Sequence, residues 1–342
     1  MERLLNPDEL LSELRTRVLL DVRSPGEYAQ GHIPGALSFP LFTDEERARV
    51  GTIYKQRGKD AAMLLGLDIV GPKMAGFVRE AATLAPGKKL AVHCWRGGQR
   101  SRSMAWLMQT SGFDVVTLSG GYKSFRRYAL DYFERLPFRF VVVGGRTGSG
   151  KTHILHALQA QGEQVLDLEG LARHKGSSFG SIGELPQPTV EQFENDLMMR
   201  LHELDPGRRV WVENESRSIG RVYIPEGLWQ QMKRSPLLNI EIPHRDRVQN
   251  LVADYAHFPV AELEAAFQRI DRKLGGLRLQ NALEALQNGN FVLAAELALE
   301  YYDKTYQHGL DNNPSPDIHM LAFEHSDFEK IAACCLGIAA GF

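Results

Sequence analysis

Two short segments carry residue types that do chemistry, at spacings that permit it. The first is His93-Cys94-Trp95-Arg96-Gly97-Gly98-Gln99-Arg100-Ser101. It follows a strand-like run at 89–93 and precedes a helical pattern at 101–111. In that setting successive backbone N–H groups converge on an anion, helped by the positive end of the following helix. The same environment favours a thiolate, so Cys94 reads as a nucleophile in an oxyanion cradle. Gly97 and Gly98 allow close approach of the backbone, Arg96 adds charge, and Arg100 is placed to add a bidentate contact. A buried strand-end cysteine is the plainer alternative.

The second segment is Gly145-Arg146-Thr147-Gly148-Ser149-Gly150-Lys151-Thr152, which fits Gly-x4-Gly-Lys-[Ser/Thr]. It lies between an apolar run at 138–143 and a helical pattern at 151–160. Its N–H groups would surround a di- or triphosphate, Lys151 would neutralise charge, and magnesium is possible at Thr152. The partner acid is expected at a strand end. Val210-Trp211-Val212-Glu213-Asn214-Glu215 supplies Glu213 and Glu215 without choosing between them. Glutamate in that place argues against ordinary ATP hydrolysis, and a diphosphate held there need not belong to a nucleotide.

These loops need sheets to hold them. Runs at 18–22, 89–93 and 115–118 read as buried parallel strands of one αβ unit, and runs at 138–143, 164–168, 210–213 and 238–242 as strands of a second. Thr189 opens a helix with capping-box spacing. From 259 to 310 the pattern is almost purely helical. The expected architecture is α/β: a parallel-sheet domain at 1–136, a phosphate-loop α/β domain at 137–258, and a mainly helical C-terminal part at 259–342.

Composition sets limits on this reading. The chain has 342 residues, 43% hydrophobic and 24% charged, with 40 basic against 42 acidic side chains and a net charge of −2. Disorder, collagen and disulfide scaffolds are excluded, as is an overall basic nucleic-acid coat, although a local basic face is not. Three cysteines, Cys94, Cys334 and Cys335, fit a reducing compartment, with the last two expected in the core. The first residues, Met1 to Pro7, form no apolar signal core, and the apolar stretch at 331–340 is too short to span a bilayer. A soluble cytoplasmic protein with no membrane partner is expected.

The cysteine loop resembles two families. His93, Cys94, Gly97, Arg100 and Ser101 match the Cys-x5-Arg phosphatases. The loop also resembles rhodanese-like sulfurtransferases, which carry sulfur or selenium on a cysteine. The stretch from Leu20-Asp21-Val22-Arg23-Ser24 to Gly31-His32-Ile33-Pro34-Gly35-Ala36 resembles the rhodanese signature and favours the second family. Asp21, Arg23 and His32 read there as fold determinants. The loop is one residue longer than in simple rhodaneses, which leaves space for a larger anion.

The order of a rhodanese-like domain followed by a P-loop domain, the form Cys94-Trp95-Arg96-Gly97-Gly98, and several further segments resemble the bacterial tRNA 2-selenouridine synthases. Those segments are Leu168-Glu169-Gly170-Leu171-Ala172, His174, Gly176-Ser177-Ser178-Phe179-Gly180, Glu213-Asn214-Glu215-Ser216-Arg217 and Tyr301-Tyr302-Asp303. The resemblance implies a transferase that replaces the 2-thio sulfur of a tRNA wobble uridine with selenium. It implies S-geranylation by geranyl diphosphate, then selenation by selenophosphate, with no tightly bound cofactor. Cys94 would carry selenium as a perselenide or assist its delivery, and His174, Gly176, Ser177, Ser178 and Phe179 would form a substrate loop.

The expected partners are the tRNA anticodon loop and the enzyme that supplies selenophosphate. From 121 to 152 seven basic residues face two acidic ones. Lys123, Arg126 and Arg127, interleaved with Tyr122, Phe125 and Tyr128, read either as an RNA-contacting face with stacking rings or as a solvated helix with packing aromatics. Arg269, Arg272, Lys273 and Arg278 read as charged surface. A cysteine phosphatase or sulfurtransferase fused to a P-loop NTPase, and a nucleotide-gated RNA-binding module, are the competing readings.

Overall fold

In a computed structural model, which describes residues 3–312, 315 and 317–342, the chain divides into two compact units. One comprises Met1–Tyr132 with Glu194–Asp196, and the other Phe133–Phe193 with Leu197–Phe342. Met1 and Glu2, part of the segment read for a signal core, lie outside the described residues.

In the N-terminal unit the strands are β1 (Arg3–Leu5), β2 (Val18–Asp21), β3 (Leu37–Ser38), β4 (Lys89–His93) and β5 (Asp114–Leu118). They form a parallel sheet in the order β1-β5-β4-β2-β3. β4 sits at the centre, and four of its five residues are buried, as a strand covered on both faces requires. The helix Gln99–Thr110 follows it directly. Leu20, Val92, Met104, Met108 and Val115 pack into one core there.

The helix Asp44–Val70, capped by Thr43 and broken at Gly58, whose φ is 85°, lies outside the elements expected from the sequence. With the turn Gly71–Lys73 and the helix Met74–Leu84 it makes a run long and apolar enough, by length and composition, to cross a membrane. The 331–340 stretch is therefore not the strongest such segment in the chain. Most of the 44–84 run is exposed, with Leu64 at 65% and Leu67 at 59%.

In the C-terminal unit β6 (Arg139–Gly145), β7 (Gln164–Leu166), β8 (Arg209–Glu213), β11 (Leu237–Glu241) and β12 (Ile318–Ala322) form a second parallel sheet, ordered β12-β11-β6-β8-β7. The short strands β9 (Ser218–Ile219) and β10 (Val222–Tyr223) pair as an antiparallel hairpin. Val141, Val143, Ile154, Leu155, Trp211 and Ile240 form the core against the helices Lys151–Ala160 and Phe328–Ala339.

Cys335 belongs to this core, and burial pushes its thiol up to about 12. Cys334 is exposed, a correction to the expected core position: neighbours on a helix point about 100° apart, so one turns out as the other turns in. The helices Val260–Gln268, Asp271–Leu274, Gly276–Gln287 and Phe291–Asp311 gather around a separate apolar cluster that includes Leu263, Phe267, Leu286, Ala294 and Ala298.

Candidate functional site

Cys94 leaves the end of β4 and is 3% exposed, with its Sγ 3.2 Å from Ser101 Oγ. The loop behind it is braced by the helix Gly121–Tyr132: Tyr122 N–H donates to the Cys94 carbonyl at 2.8 Å and Lys123 N–H to that of Trp95 at 2.9 Å. Gly121 must be glycine for this approach. Its φ is 62°, and a Cβ there would strike the Cys94 carbonyl and the Gly97 nitrogen.

Asp21 and Arg23 are fully buried as a pair, with Arg23 Nη2 2.6 Å from Asp21 and 2.7 Å from the Gly31 carbonyl. Arg23 also lies 3.8 Å over the Tyr122 ring. His32 stacks on Tyr28 at 3.9 Å. These residues lock the turns of the unit, as expected of fold determinants. His93 is fully buried, and that burial pulls its imidazole down to about 4.

The Arg100 guanidinium is held by Glu27, at 2.6 Å and 3.3 Å. Against the upward push of burial, Arg100 holds the Glu27 carboxyl down to about 2. Arg96 is exposed beside the loop. On the neighbouring helix Tyr122 and Phe125 are fully buried, so they cannot stack on bases: they occupy its core-facing side. Tyr128 is half-buried, its hydroxyl 3.1 Å from Asp8. Arg126 is committed to Glu194 and Asn195 of the same unit. Lys123 and Arg127 are exposed, the latter loosely facing Asp131 at 3.8 Å.

The second loop runs from the end of β6 into the helix Lys151–Ala160. Gly150 has φ 76°, and a Cβ on it would run into the Phe328 ring. Gly145, Thr147, Gly148, Gly150, Lys151 and Thr152 line a cavity of about 980 Å³. Arg146 and Ser149 do not. Arg146 reaches Gln307 at 2.9 Å, and the Ser149 hydroxyl is buried under Gly145.

Both candidate acids have distinct places. Glu213, at the end of β8, is 2% exposed and accepts the Glu169 N–H at 2.8 Å. Burial, then the charges of Asp167 and Glu169, raise its pKa well above the ordinary value. Glu215 lies in the cavity wall against Gly176. The acid that sequence reasoning missed is Glu169. The Thr152 hydroxyl donates to it at 3.1 Å, and burial together with the neighbouring Glu215 charge pushes its carboxyl up to about 8. Burial alone would lower Lys151, but Glu215 and Glu169 hold it above the usual lysine value. The available signal is an acid in the first turn of a helix, two positions after its N-cap Asp167 and just past a strand.

Gly176, Ser177, Ser178 and Phe179 line the same cavity as the phosphate loop. His174 packs behind them against Gly180, and burial lowers its pKa. The loop is fastened by residues the sequence reading did not connect to it: the Tyr302 hydroxyl accepts the Ser178 N–H at 3.2 Å, and Arg269 donates to the Ser178 carbonyl. Arg269 is thus a loop clamp, and Lys273 lines the cavity, whereas Arg278 pairs with Glu300 as surface charge. From the helix Phe291–Asp311, the Tyr306 hydroxyl accepts the Gly145 N–H at 2.7 Å. Asp303 on that helix takes Arg247 in a bidentate pair at 2.7 and 2.8 Å, and Arg247 also donates to the Thr147 carbonyl. Beyond these polar groups the cavity is apolar, walled by Leu263, Phe267, Leu286, Phe291, Ala294 and Ala298.

Among the described residues no three His, Cys, Asp or Glu side chains converge as a metal site. The Thr152 hydroxyl and the Glu169 carboxyl, which a divalent cation would ionise, nevertheless suit a magnesium ion completed by phosphate oxygens and water, since Mg²⁺ usually takes only one or two protein carboxylates.

Comparison with known proteins agrees with both halves. Residues 138–321 match the tRNA 2-selenouridine synthase AAA domain, and residues 6–128 match the rhodanese-like domain. A tRNA 2-selenouridine synthase of Bdellovibrio bacteriovorus is 36% identical, covering 90% of this chain and 93% of its own. One from Sulfurovum sp. is 36% identical over 88% and 91%, and one from Marinobacter nauticus 37% over 85% and 88%. Similarity at this level, spanning both the cysteine loop and the phosphate loop, means that the chain belongs to the tRNA 2-selenouridine synthase family of enzymes.

Proposed function

We propose that this enzyme replaces the 2-thio sulfur of a tRNA wobble uridine with selenium, by S-geranylation from geranyl diphosphate followed by selenation from selenophosphate. The observation that carries the reading is that the phosphate loop and an apolar chamber are one cavity. A diphosphate ester with a hydrocarbon tail matches both parts, whereas a nucleotide would place a polar base and ribose against Phe267, Leu286 and Ala298.

In the first step the thiocarbonyl sulfur attacks C1 of the geranyl group, the C1–O bond breaks, diphosphate leaves with the electron pair, and the base gives up its N3 proton. Lys151 and the loop N–H groups stabilise the departing charge. Magnesium, where bound by Thr152 and Glu169, would neutralise diphosphate charge. In the second step selenium attacks C2 and geranylthiolate departs, a far better leaving group than the sulfur of a thiocarbonyl; water then cleaves the P–Se bond and releases phosphate.

The backbone cradle around Cys94, with Arg96, Gly97 and Gly98, suits the phosphate of selenophosphate. Cys94 assists delivery. A perselenide on it would require a two-electron oxidant, which neither donor supplies. The exposed Lys123 and Arg127 are the residues of the local basic helix left to meet tRNA phosphates. A cytoplasmic setting, and docking of the enzyme that makes selenophosphate, belong to the same reading.

The test is mass spectrometry of 2-thiouridine tRNA after incubation with the protein, each donor omitted in turn. S-geranyl tRNA should form with geranyl diphosphate alone, and 2-selenouridine only when both donors are present. Selenation without geranyl diphosphate would overturn the two-step route.

A further inference from the structure

We propose that the helix Phe291–Asp311 gauges the length of the prenyl chain, with Ala298 and Ala294 forming the channel and Phe291 its floor. The proposal rests on the reading that the phosphate loop holds a prenyl diphosphate. Tyr306, Tyr302, Ala298, Ala294 and Phe291 recur every three or four residues, and all five line the one cavity. One helix face therefore runs along it.

The polar end is fixed at both tyrosines. Tyr306 holds Gly145 of the phosphate loop, and Tyr302 holds Ser178 of the loop beside it. Past Tyr302 the face turns to alanines, which leave space that any larger side chain would fill, and the half-buried Phe291 follows one turn beyond Ala294.

The lengths agree with a ten-carbon chain. At about 1.5 Å per residue, Ala298 lies about 6 Å beyond Tyr302, Ala294 about 12 Å and Phe291 about 16 Å. An extended chain advances about 1.2 Å per bond, as a polypeptide's 3.3–3.6 Å per three-bond residue shows. Counted from the ester oxygen, a geranyl chain, eight carbons in its longest row, then spans about 10 Å and ends near Ala294. A farnesyl chain, with twelve, spans about 14 Å and meets Phe291, while a dimethylallyl chain ends before Ala298.

The experiment is calorimetric titration of the full-length protein with dimethylallyl, geranyl and farnesyl diphosphates, and with inorganic pyrophosphate as the headgroup alone. The native protein should prefer geranyl diphosphate. Ala298→Leu should cut the ratio of geranyl to dimethylallyl affinity by about tenfold or more, and Phe291→Ala should raise the ratio of farnesyl to geranyl affinity by about as much. Far-UV circular dichroism melts establish that each variant is folded. If Ala298→Leu does not fold, Phe291→Ala alone decides, since it removes bulk rather than adding it. Unchanged ratios in folded variants, with prenyl diphosphates still binding more tightly than pyrophosphate, would overturn the gauge and leave the parent reading standing. No prenyl diphosphate binding more tightly than pyrophosphate would overturn both.

Discussion

The guanidinium of Arg100, six positions after Cys94 on the same loop, is bound by the Glu27 carboxylate at 2.6 Å. Arg100 thereby ties the start of the helix Gln99–Thr110, and so the cysteine loop, to the helix Pro25–Gln30. Glu27→Gln should lower stability at neutral pH by about 2 kcal/mol, read by urea unfolding. The folded Glu27 carboxyl lies near 2, below its unfolded value of 4.5. Its contribution is therefore complete above pH 4.5 and is lost as pH falls towards 2. The native protein should lose stability across that window more steeply than Glu27→Gln, and equal slopes would refute the pairing.

Lys151→Ala removes the cation of the phosphate loop. Geranylation should fall by at least about a hundredfold, while selenation of tRNA already carrying the S-geranyl group continues. Cys94→Ser should do the reverse, with S-geranyl tRNA accumulating. Chromatography of digested nucleosides distinguishes the two outcomes, and loss of both steps in either variant would contradict the division of labour.

Glu169 gives a pH signature at the opposite end of the scale. Its carboxyl titrates near 8, raised by burial and by Glu215. Below that pH it is neutral, and above it, with magnesium withheld by chelator, its charge opposes the diphosphate. Pyrophosphate affinity should fall as pH rises through about 8, and more in the native protein than in Glu169→Gln. Without ligand, the native protein's stability relative to that variant should be complete below 4.5 and decline as pH rises to about 8, because ionisation in place is disfavoured. Identical affinity and melting profiles would remove Glu169 from the site.

Tyr306→Phe deletes the acceptor for the Gly145 N–H and also frees Asn239, its other partner. An unsatisfied group of this kind costs about 1–3 kcal/mol. Pyrophosphate binding should weaken by about tenfold, read by the same titration, with little change in the Cys94 loop.

Gly121→Ala places a methyl group against the Cys94 carbonyl in a left-handed backbone position. It should destabilise the N-terminal unit by about 2 kcal/mol or more and abolish selenation while sparing geranylation. Full selenation in this variant would show that the brace does not set the loop.

Much of this was legible because local signals and tertiary context agree. β4 and the helix Lys151–Ala160 stand where the apolar runs and flanking glycines put them. The edge strands β1 and β12 were not legible. They are mostly exposed or half-buried, so no continuous apolar run marks them. The helix Asp44–Val70 escaped notice because its apolar residues are largely exposed and show no core-facing stripe. The phosphate and cysteine motifs located both loops, yet motifs do not report partners distant in sequence. Glu27 fastening Arg100, and Tyr302 and Tyr306 closing on loops 124 and 161 positions away, arise only from the fold. The basic helix carried a false cue as well: its aromatic rings face inward, because the same side that spaces them for stacking is the one that fills the core.

His93 adjoins Cys94 in sequence and is sealed from water, so its imidazole stays uncharged at every pH at which cells live. Many cysteine enzymes borrow a proton acceptor from a histidine. Here the neighbouring histidine is walled in as structural filling, and the polar side chain that meets the Cys94 sulfur is instead the Ser101 hydroxyl, at 3.2 Å.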